Sequence, residues 1–282
     1  MRTRAPGKLI LLGEHSVVHG HRAIAAAVSL QTTVTLEAHA GPTRLRKAFH
    51  RDERVERAIA SVLPPEGWLV DIETELPVGR GMGSSAALSV ALVRAAAGLS
   101  GETLDFAALH ERAFVLERIF HGDPSGLDHA VSALGGAVVY RKGEPPVPVS
   151  MPPTRVVVLD TGVAGDTATL VAGVASLRPA IDEALERLGE LTEEAIPLLG
   201  DAQALGTLMN EAQHYLRTIG VSTLAIQELV VLARRHGALG AKLSGAGGGG
   251  VVLALTPDGG GSLLAAARER GVAAFGCTLP TA

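Results

Sequence analysis

The period of the apolar positions changes from segment to segment along this chain, and glycine-rich breaks separate the segments. Residues 9–12 form an apolar run and residues 31–38 alternate, which predicts strands; residues 51–62 carry a polar helical pattern. The run at 68–76, W-L-V-D-I-E-T-E-L, alternates like a half-buried strand. Residues 85–99 and 106–119 are apolar at helical spacing, with a short helix after Pro124, for which Asp123 is a candidate cap, and a strand at 136–140. The stretch K-G-E-P-P-V-P-V-S-M-P-P at 142–153 has the proline density of a linker and divides the chain into domains at 1–150 and 151–282. Beyond it a strand at 155–160 and helices at 168–188, 205–219 and 221–236 are expected. From 238 to 279 the order reads strand, glycine loop, strand, helix, strand. Without steady βαβ alternation, this pattern predicts an α+β fold, helices layered on antiparallel-leaning sheets.

Composition narrows the function classes. With 282 residues, 47% of them hydrophobic, the chain can bury the core of two ordinary domains. A formal net charge of −4 provides no general basic field, so neither nucleic acid nor an anionic membrane is expected as a partner and a small-molecule ligand fits better. The first apolar run is too short for a signal segment or a membrane span, and the expected location is cytoplasmic. Cys277 is the only cysteine, which excludes an intrachain disulfide and a multi-cysteine zinc site; it reads as a core residue. Lysine occurs only at positions 8, 47, 142 and 242, and Lys8 and Lys242 both stand beside glycine-containing segments.

The candidate chemistry begins at 77–87, P-V-G-R-G-M-G-S-S-A-A, where a strand pattern gives way to a glycine loop and then a helix. Glycines allow positive φ and close backbone approach, so successive N–H groups can point at an anion beside a helix N-terminus. Ser84 and Ser85 have two uses there: capping a free N–H, or presenting a hydroxyl to a phosphate-bound Mg²⁺. No lysine follows Gly83, so the Walker A pattern fails, and the spacing of Gly79, Gly81 and Gly83 does not fit G-x-G-x-x-G.

Three further segments carry charge beside apolar runs: A-P-G-K-L-I-L-L-G-E-H-S-V-V-H-G at 5–20, E-R-I-F-H-G-D-P-S-G-L-D at 117–128, and K-L-S-G-A-G-G-G-G at 242–250. In order and approximate spacing, the first and last of these together with the glycine loop resemble the three signature motifs of the GHMP small-molecule kinases. Within that superfamily the segments at 13–20 and 117–128 are most similar to mevalonate kinases. The resemblance implies a two-domain fold, an N-terminal half like ribosomal protein S5 and a C-terminal ferredoxin-like α/β sandwich, with the active site in a cleft between them.

It also implies roles. Gly79, Arg80, Gly81, Met82, Gly83, Ser84 and Ser85 would hold the ATP phosphates, and Ser85 with Glu117 would hold Mg²⁺. Asp128 would be the catalytic base, with Lys8 beside it and the transferring phosphoryl group. Glu14, His15, Thr167, Ser244, Gly245, Ala246 and Gly247 would contact the substrate, His15 and Thr167 among them offering donors to a carboxylate. The implied reaction is ATP-dependent phosphorylation of mevalonate. A kinase for phosphomevalonate or a sugar, and a catalytically silent binding protein of the same fold, are the alternatives. A homodimer is compatible with the chain, although no feature of it calls for one.

Overall fold

The computed structural model describes residues 1–48, 52–122 and 124–279. The first position of the helix expected from residue 51, and Asp123 as a cap, lie outside the described residues. The chain forms two compact units that are each discontinuous in sequence. The first comprises Met1–Gly7, Leu30–Pro77 and Gly83–Gly135; the second comprises Lys8–Ser29, Val78–Met82 and the described chain from Gly136 onward.

In the first unit the second half of β2 (Ala23–Pro42) pairs antiparallel with β4 (Glu66–Thr74), and β3 (Arg44–Lys47) pairs parallel with the far side of β4. The opening of β1 (Arg2–Leu12) is tied in by reciprocal backbone hydrogen bonds between Met1 and Leu36. Four helices complete the unit: α1 (Glu53–Val62), α2 (Ser84–Ser100), α3 (Phe106–His121) and α4 (Leu127–Leu134). Helix α2 is apolar on every side, A-A-L-S-V-A-L-V over 86–93, and is accordingly largely buried, packing against α1, α3 and α4. It ends at Gly101, whose left-handed φ of 67° lets its N–H reach back into the last turn.

The second unit contains an antiparallel sheet in the order β10 (Ala274–Leu279), β7 (Thr154–Asp160), β9 (Val251–Leu255), β8 (Gly240–Ser244). Numbered along the chain these are the fourth, first, third and second strands, the ferredoxin-like arrangement. Its helices are α5 (Thr167–Ser176), α6 (Asp182–Ala195), α7 (Ala202–Thr218), α8 (Leu224–Arg235) and α9 (Gly261–Glu269). Helix α7 lies against β8 where two glycines meet: a Cβ on Gly240 would stand 2.5 Å from the Gly206 carbonyl oxygen. The first half of β2 also belongs to this unit, paired with β5 (Ala137–Tyr140), which in turn pairs with β6 (Val147–Val149).

Three local expectations differ from the structure. The single helix at 168–188 is two, α5 and α6, because Pro179 lacks an N–H and disfavours helical backbone at Arg178. The strand expected from residue 31 begins at Ala23: five consecutive residues, Ala-Ile-Ala-Ala-Ala, are wholly buried, and that burial overrides the helical propensity of alanine. Part of the proline-rich stretch forms β6 in the second unit.

Helices α3 and α4 meet through stacked rings. His129 is fully buried, its ring 4.4 Å from His110 and 5.3 Å from Phe114, and neither ring nitrogen has a hydrogen-bond partner. Burial, and secondarily His110, lowers its pKa to about 4. The folded state therefore keeps His129 neutral while the unfolded chain protonates it below about pH 6.5. No stability is lost to this group above that pH, and the loss grows as pH falls toward 4, where it reaches roughly 3 kcal/mol. His129→Leu should show a thermal midpoint that declines less between pH 6.5 and 4.5 than that of the parent protein; parallel declines would refute the assignment.

Candidate active site

Gly79, Gly81 and Gly83 all have left-handed φ, near 71°, 79° and 71°, alternating with Arg80 and Met82. Such alternation turns successive N–H groups toward one side, the geometry of an anion nest. Met82 is buried and its carbonyl accepts from the Lys8 N–H at 2.9 Å. Arg80 donates from Nε to Asp160 at 3.0 Å and from Nη2 to the Gly162 carbonyl at 3.2 Å. A Cβ on Gly250 would lie a tight 3.1 Å from the Arg80 carbonyl oxygen, while one on Gly81 would make ordinary contact with the Ser244 carbonyl oxygen at 3.4 Å.

After Met82 the chain enters the first unit. Helix α2 starts at Gly83 with no side chain capping it, so neither Ser84 nor Ser85 is used as a cap. The Ser85 hydroxyl instead donates to Glu117 Oε2 at 3.3 Å and lies 3.0 Å from His121 Nε2. Ser89, one turn further, donates to the other Glu117 oxygen at 3.0 Å. Glu117 is a buried carboxylate at the inner face of α3, held from α2 by two hydroxyls. The sequence motifs paired Ser85 with Glu117; Ser89 and His121 were missed, although Ser89 follows Ser85 by one helical turn and His121 follows Glu117 by one. Asp128, half-buried, stands in the first turn of α4 behind Gly126, whose φ is 96°.

In the second unit Lys8, Glu14, His15, Lys242 and the loop from Ser244 come together. Lys242 and Glu14 are 0% and 1% exposed and form a short ion pair, and Lys242 also donates to the Leu243 carbonyl at 2.7 Å. Burial pushes the Glu14 carboxyl up and the Lys242 ammonium down, with their mutual attraction opposing both shifts; the charge of Lys8 is felt by both groups. Sequence spacing gave no hint that Lys242 would be the partner of Glu14. Glu14 Oε2 has no hydrogen-bond partner.

His15 is the one described non-glycine residue with positive φ, 61°, a strained conformation of the kind that clusters at functional sites. Its Nε2 lies 2.8 Å from the Ala246 carbonyl oxygen, and burial holds the ring below the ordinary histidine range. A neutral ring facing a carbonyl must carry its proton on Nε2, which leaves Nδ1, itself without a partner, as an acceptor. The expectation that His15 donates to a carboxylate therefore meets a ring whose donor is already engaged. Ser244 is similarly committed: its hydroxyl accepts from the Ile10 N–H at 2.9 Å and donates to the Ile10 carbonyl at 3.2 Å. Gly245, Ala246 and Gly247 continue into a loop on which the segment leading to Thr167 rests, since a Cβ on Gly165 would strike the Gly247 carbonyl at 2.4 Å. Thr167 is exposed at the start of α5.

Among the described residues no group of three or more His, Cys, Asp or Glu could by itself enclose a metal ion, and no helix is long and apolar enough to cross a membrane. The Ser85 and Glu117 oxygens form a partial, hard-donor set of the kind Mg²⁺ completes with phosphate and water. Burial pushes the Cys277 thiol up to about 12, which suits a packed residue and not a nucleophile.

The sequence matches the families described as GHMP kinases N terminal domain, over residues 45–136, and GHMP kinases C terminal, over residues 192–273. It is 37% identical over 276 residues to the mevalonate kinase of Aeropyrum pernix, covering 87% of this chain and 85% of that one. To the mevalonate kinase of Thermococcus gammatolerans it is 38% identical over 294 residues, covering 89% and 87%. The solved structure of L. major mevalonate kinase in complex with R-mevalonate superposes with a TM-score of 0.90 at 27% identity, over 100% of this chain and 96% of that one. With both family matches and relatives of this identity along most of its length, the chain belongs to the GHMP kinase family, among the mevalonate kinases.

Proposed function

We propose that this chain transfers the γ-phosphoryl group of ATP to the 5-hydroxyl of (R)-mevalonate, giving 5-phosphomevalonate and ADP. The observation that carries the residue assignment is the Ser85–Glu117 pair, an uncapped serine hydroxyl turned onto a buried carboxylate directly after an anion nest. In this reading the backbone N–H groups of residues 79–85 and the free first turn of α2 cradle the triphosphate. Ser85 and Glu117 would hold Mg²⁺, which when bound would supply charge neutralisation at the phosphates.

Asp128 takes the proton of the 5-hydroxyl as that oxygen bonds to the γ-phosphorus; the bond to the β,γ-bridging oxygen breaks and its electron pair leaves with ADP. The Lys8 ammonium stabilises the charge that develops on the phosphoryl oxygens. Substrate contacts divide by chemistry. Glu14 Oε2 and His15 Nδ1 are acceptors and would accept hydrogen bonds from substrate hydroxyls, whereas the mevalonate carboxylate, itself an acceptor, needs the Thr167 hydroxyl and the N–H groups of residues 245–247.

ADP release from Mg²⁺-ATP, measured with mevalonate, 5-phosphomevalonate, homoserine and galactose, should depend on mevalonate alone. Turnover on another alcohol in its place would discard the substrate assignment. Asp128→Asn and Lys8→Met should each lower kcat by at least about 10³-fold with little change in thermal midpoint, and near-normal turnover in either would remove that residue from the mechanism.

Ser85→Ala and Glu117→Gln address the metal. Each should raise the Mg²⁺ concentration required for half-maximal rate, by about tenfold or more, while leaving the KM for mevalonate within about twofold. An unchanged Mg²⁺ requirement in both would show that the ion is held elsewhere.

A further inference from the structure

Arg80 is the charged residue inside the glycine loop, and the obvious use of a guanidinium there is to bind phosphate. Its geometry points to another. Nε donates to Asp160 Oδ2 at 3.0 Å and Nη2 to the Gly162 carbonyl at 3.2 Å, while the other Asp160 oxygen accepts from the Gly162 N–H at 2.8 Å. Each Asp160 oxygen is therefore engaged, one by the arginine and the other by a short turn. It is also rigidly placed, as the last residue of β7, with its own N–H bonded to Ala273 at 2.8 Å and its ladder paired to Val251. The two side chains are only 23% and 14% exposed, so this is not one of the mobile surface pairs whose contribution vanishes.

The backbone of the same residue is constrained as well. The Arg80 carbonyl lies close to Gly250, where a Cβ would stand a tight 3.1 Å from it, and the Met82 carbonyl accepts from the Lys8 N–H. The loop is thus fastened at both positions between its glycines.

We infer that Arg80 is a positioning residue and not a phosphate ligand: anchored on Asp160, it holds the glycine loop in its anion-binding conformation before nucleotide arrives. A loop with three left-handed glycines has much conformational freedom to lose, and ordering it in advance transfers that cost from binding to folding. The tether acts on nucleotide affinity through the backbone N–H groups and brings no positive charge to the triphosphate. Sequence position alone suggests the opposite, because Arg80 stands among residues expected to touch ATP.

The inference rests on the reading of residues 79–85 as the phosphate cradle, and steady-state kinetics in ATP at saturating mevalonate separates the two. Arg80→Gln, Asp160→Asn and the double variant are compared, with thermal melting to verify folding. A tether predicts that each single variant raises the KM for ATP about five- to tenfold, that kcat falls less than KM rises, and that the double variant is no worse than either single. A raised KM in Arg80→Gln with none in Asp160→Asn would make Arg80 a phosphate ligand and overturn the inference; no change in either would overturn it too.

Gly81→Ala, whose methyl meets the Ser244 carbonyl at 3.4 Å and whose φ is 79°, serves as the test of the cradle, with Gly81→Val as its stronger form. If Gly81 variants raise the KM for ATP and the Arg80 and Asp160 variants do not, the cradle stands and the tether fails. If folded Gly81 variants leave that KM unchanged, the cradle reading fails with it.

Discussion

The buried ion pair of Glu14 and Lys242 is the constraint around which the second unit's chemistry is arranged. Two charges with essentially no solvent access must satisfy each other, and losing one partner of such a pair costs about 3–5 kcal/mol, a large share of the ~5–15 kcal/mol by which a domain is stable. The turn after β1 and the strand β8 are consequently locked together, and the Ser244 hydroxyl repeats the lock by accepting from and donating to Ile10. His15, next in the chain, is then forced into its left-handed conformation with Nε2 on Ala246. Strain at one residue is small against the cost of leaving either buried charge without its partner, so the fold tolerates it. The product is two unpartnered acceptor atoms, Glu14 Oε2 and His15 Nδ1, in fixed positions.

The second glycine loop obeys a packing rule as much as a binding one. Side chains at Gly247 and Gly249 would strike the carbonyls of Val221 and Val163 at 2.4 and 2.5 Å, and one at Gly248 would meet Leu170 at 2.8 Å. Within the run G-A-G-G-G-G, positions 247, 249 and 250 therefore lie against neighbouring backbone and 248 against a side chain, and Gly248 donates its N–H to the Val221 carbonyl at 2.8 Å. A glycine run seen in sequence suggests space for a ligand. Here much of that space is already filled by neighbouring protein, and the positive φ values at 245, 247, 248 and 250 are conformations that glycine adopts without strain.

Much of this was legible from pattern. Helices α2 and α3 and strands β4, β7 and β9 have a strong period and ends marked by glycine or aspartate, and the α+β class followed from their order. Failures occurred where a single residue or tertiary burial overruled the period: Pro179 split one expected helix, and the alanines at 23–27 form a strand because they are buried, which no alanine-rich segment announces. Among the site residues, the resemblance set Ser85 and Glu117 side by side as metal ligands, and the two side chains are hydrogen-bonded to each other. The Lys242 partnership with Glu14 spans 228 positions and is invisible to local spacing. Of the two possible uses of the serines after Gly83, the capping one is set aside only by seeing that α2 has no side-chain cap.

Electrostatic economy gives the proposed mechanism its final shape. Phosphoryl transfer needs positive charge, yet the cations nearest the glycine motifs are committed elsewhere: Lys242 to Glu14 and the Leu243 carbonyl, Arg80 to Asp160 and the Gly162 carbonyl. Lys47 is an exposed partner of Glu73. A nest of N–H groups can bind a triphosphate without any of them, because the partial charges of the peptide units and of the helix start are fixed in place and need no reorganisation. The developing charge on the transferring group is a separate demand, larger and more localised, and in the proposed assignment it falls to Lys8 with Mg²⁺. Using backbone for the ground-state triphosphate and a single ammonium for the transition state directs stabilisation to where charge changes during the reaction, which is the condition for raising rate and not merely affinity.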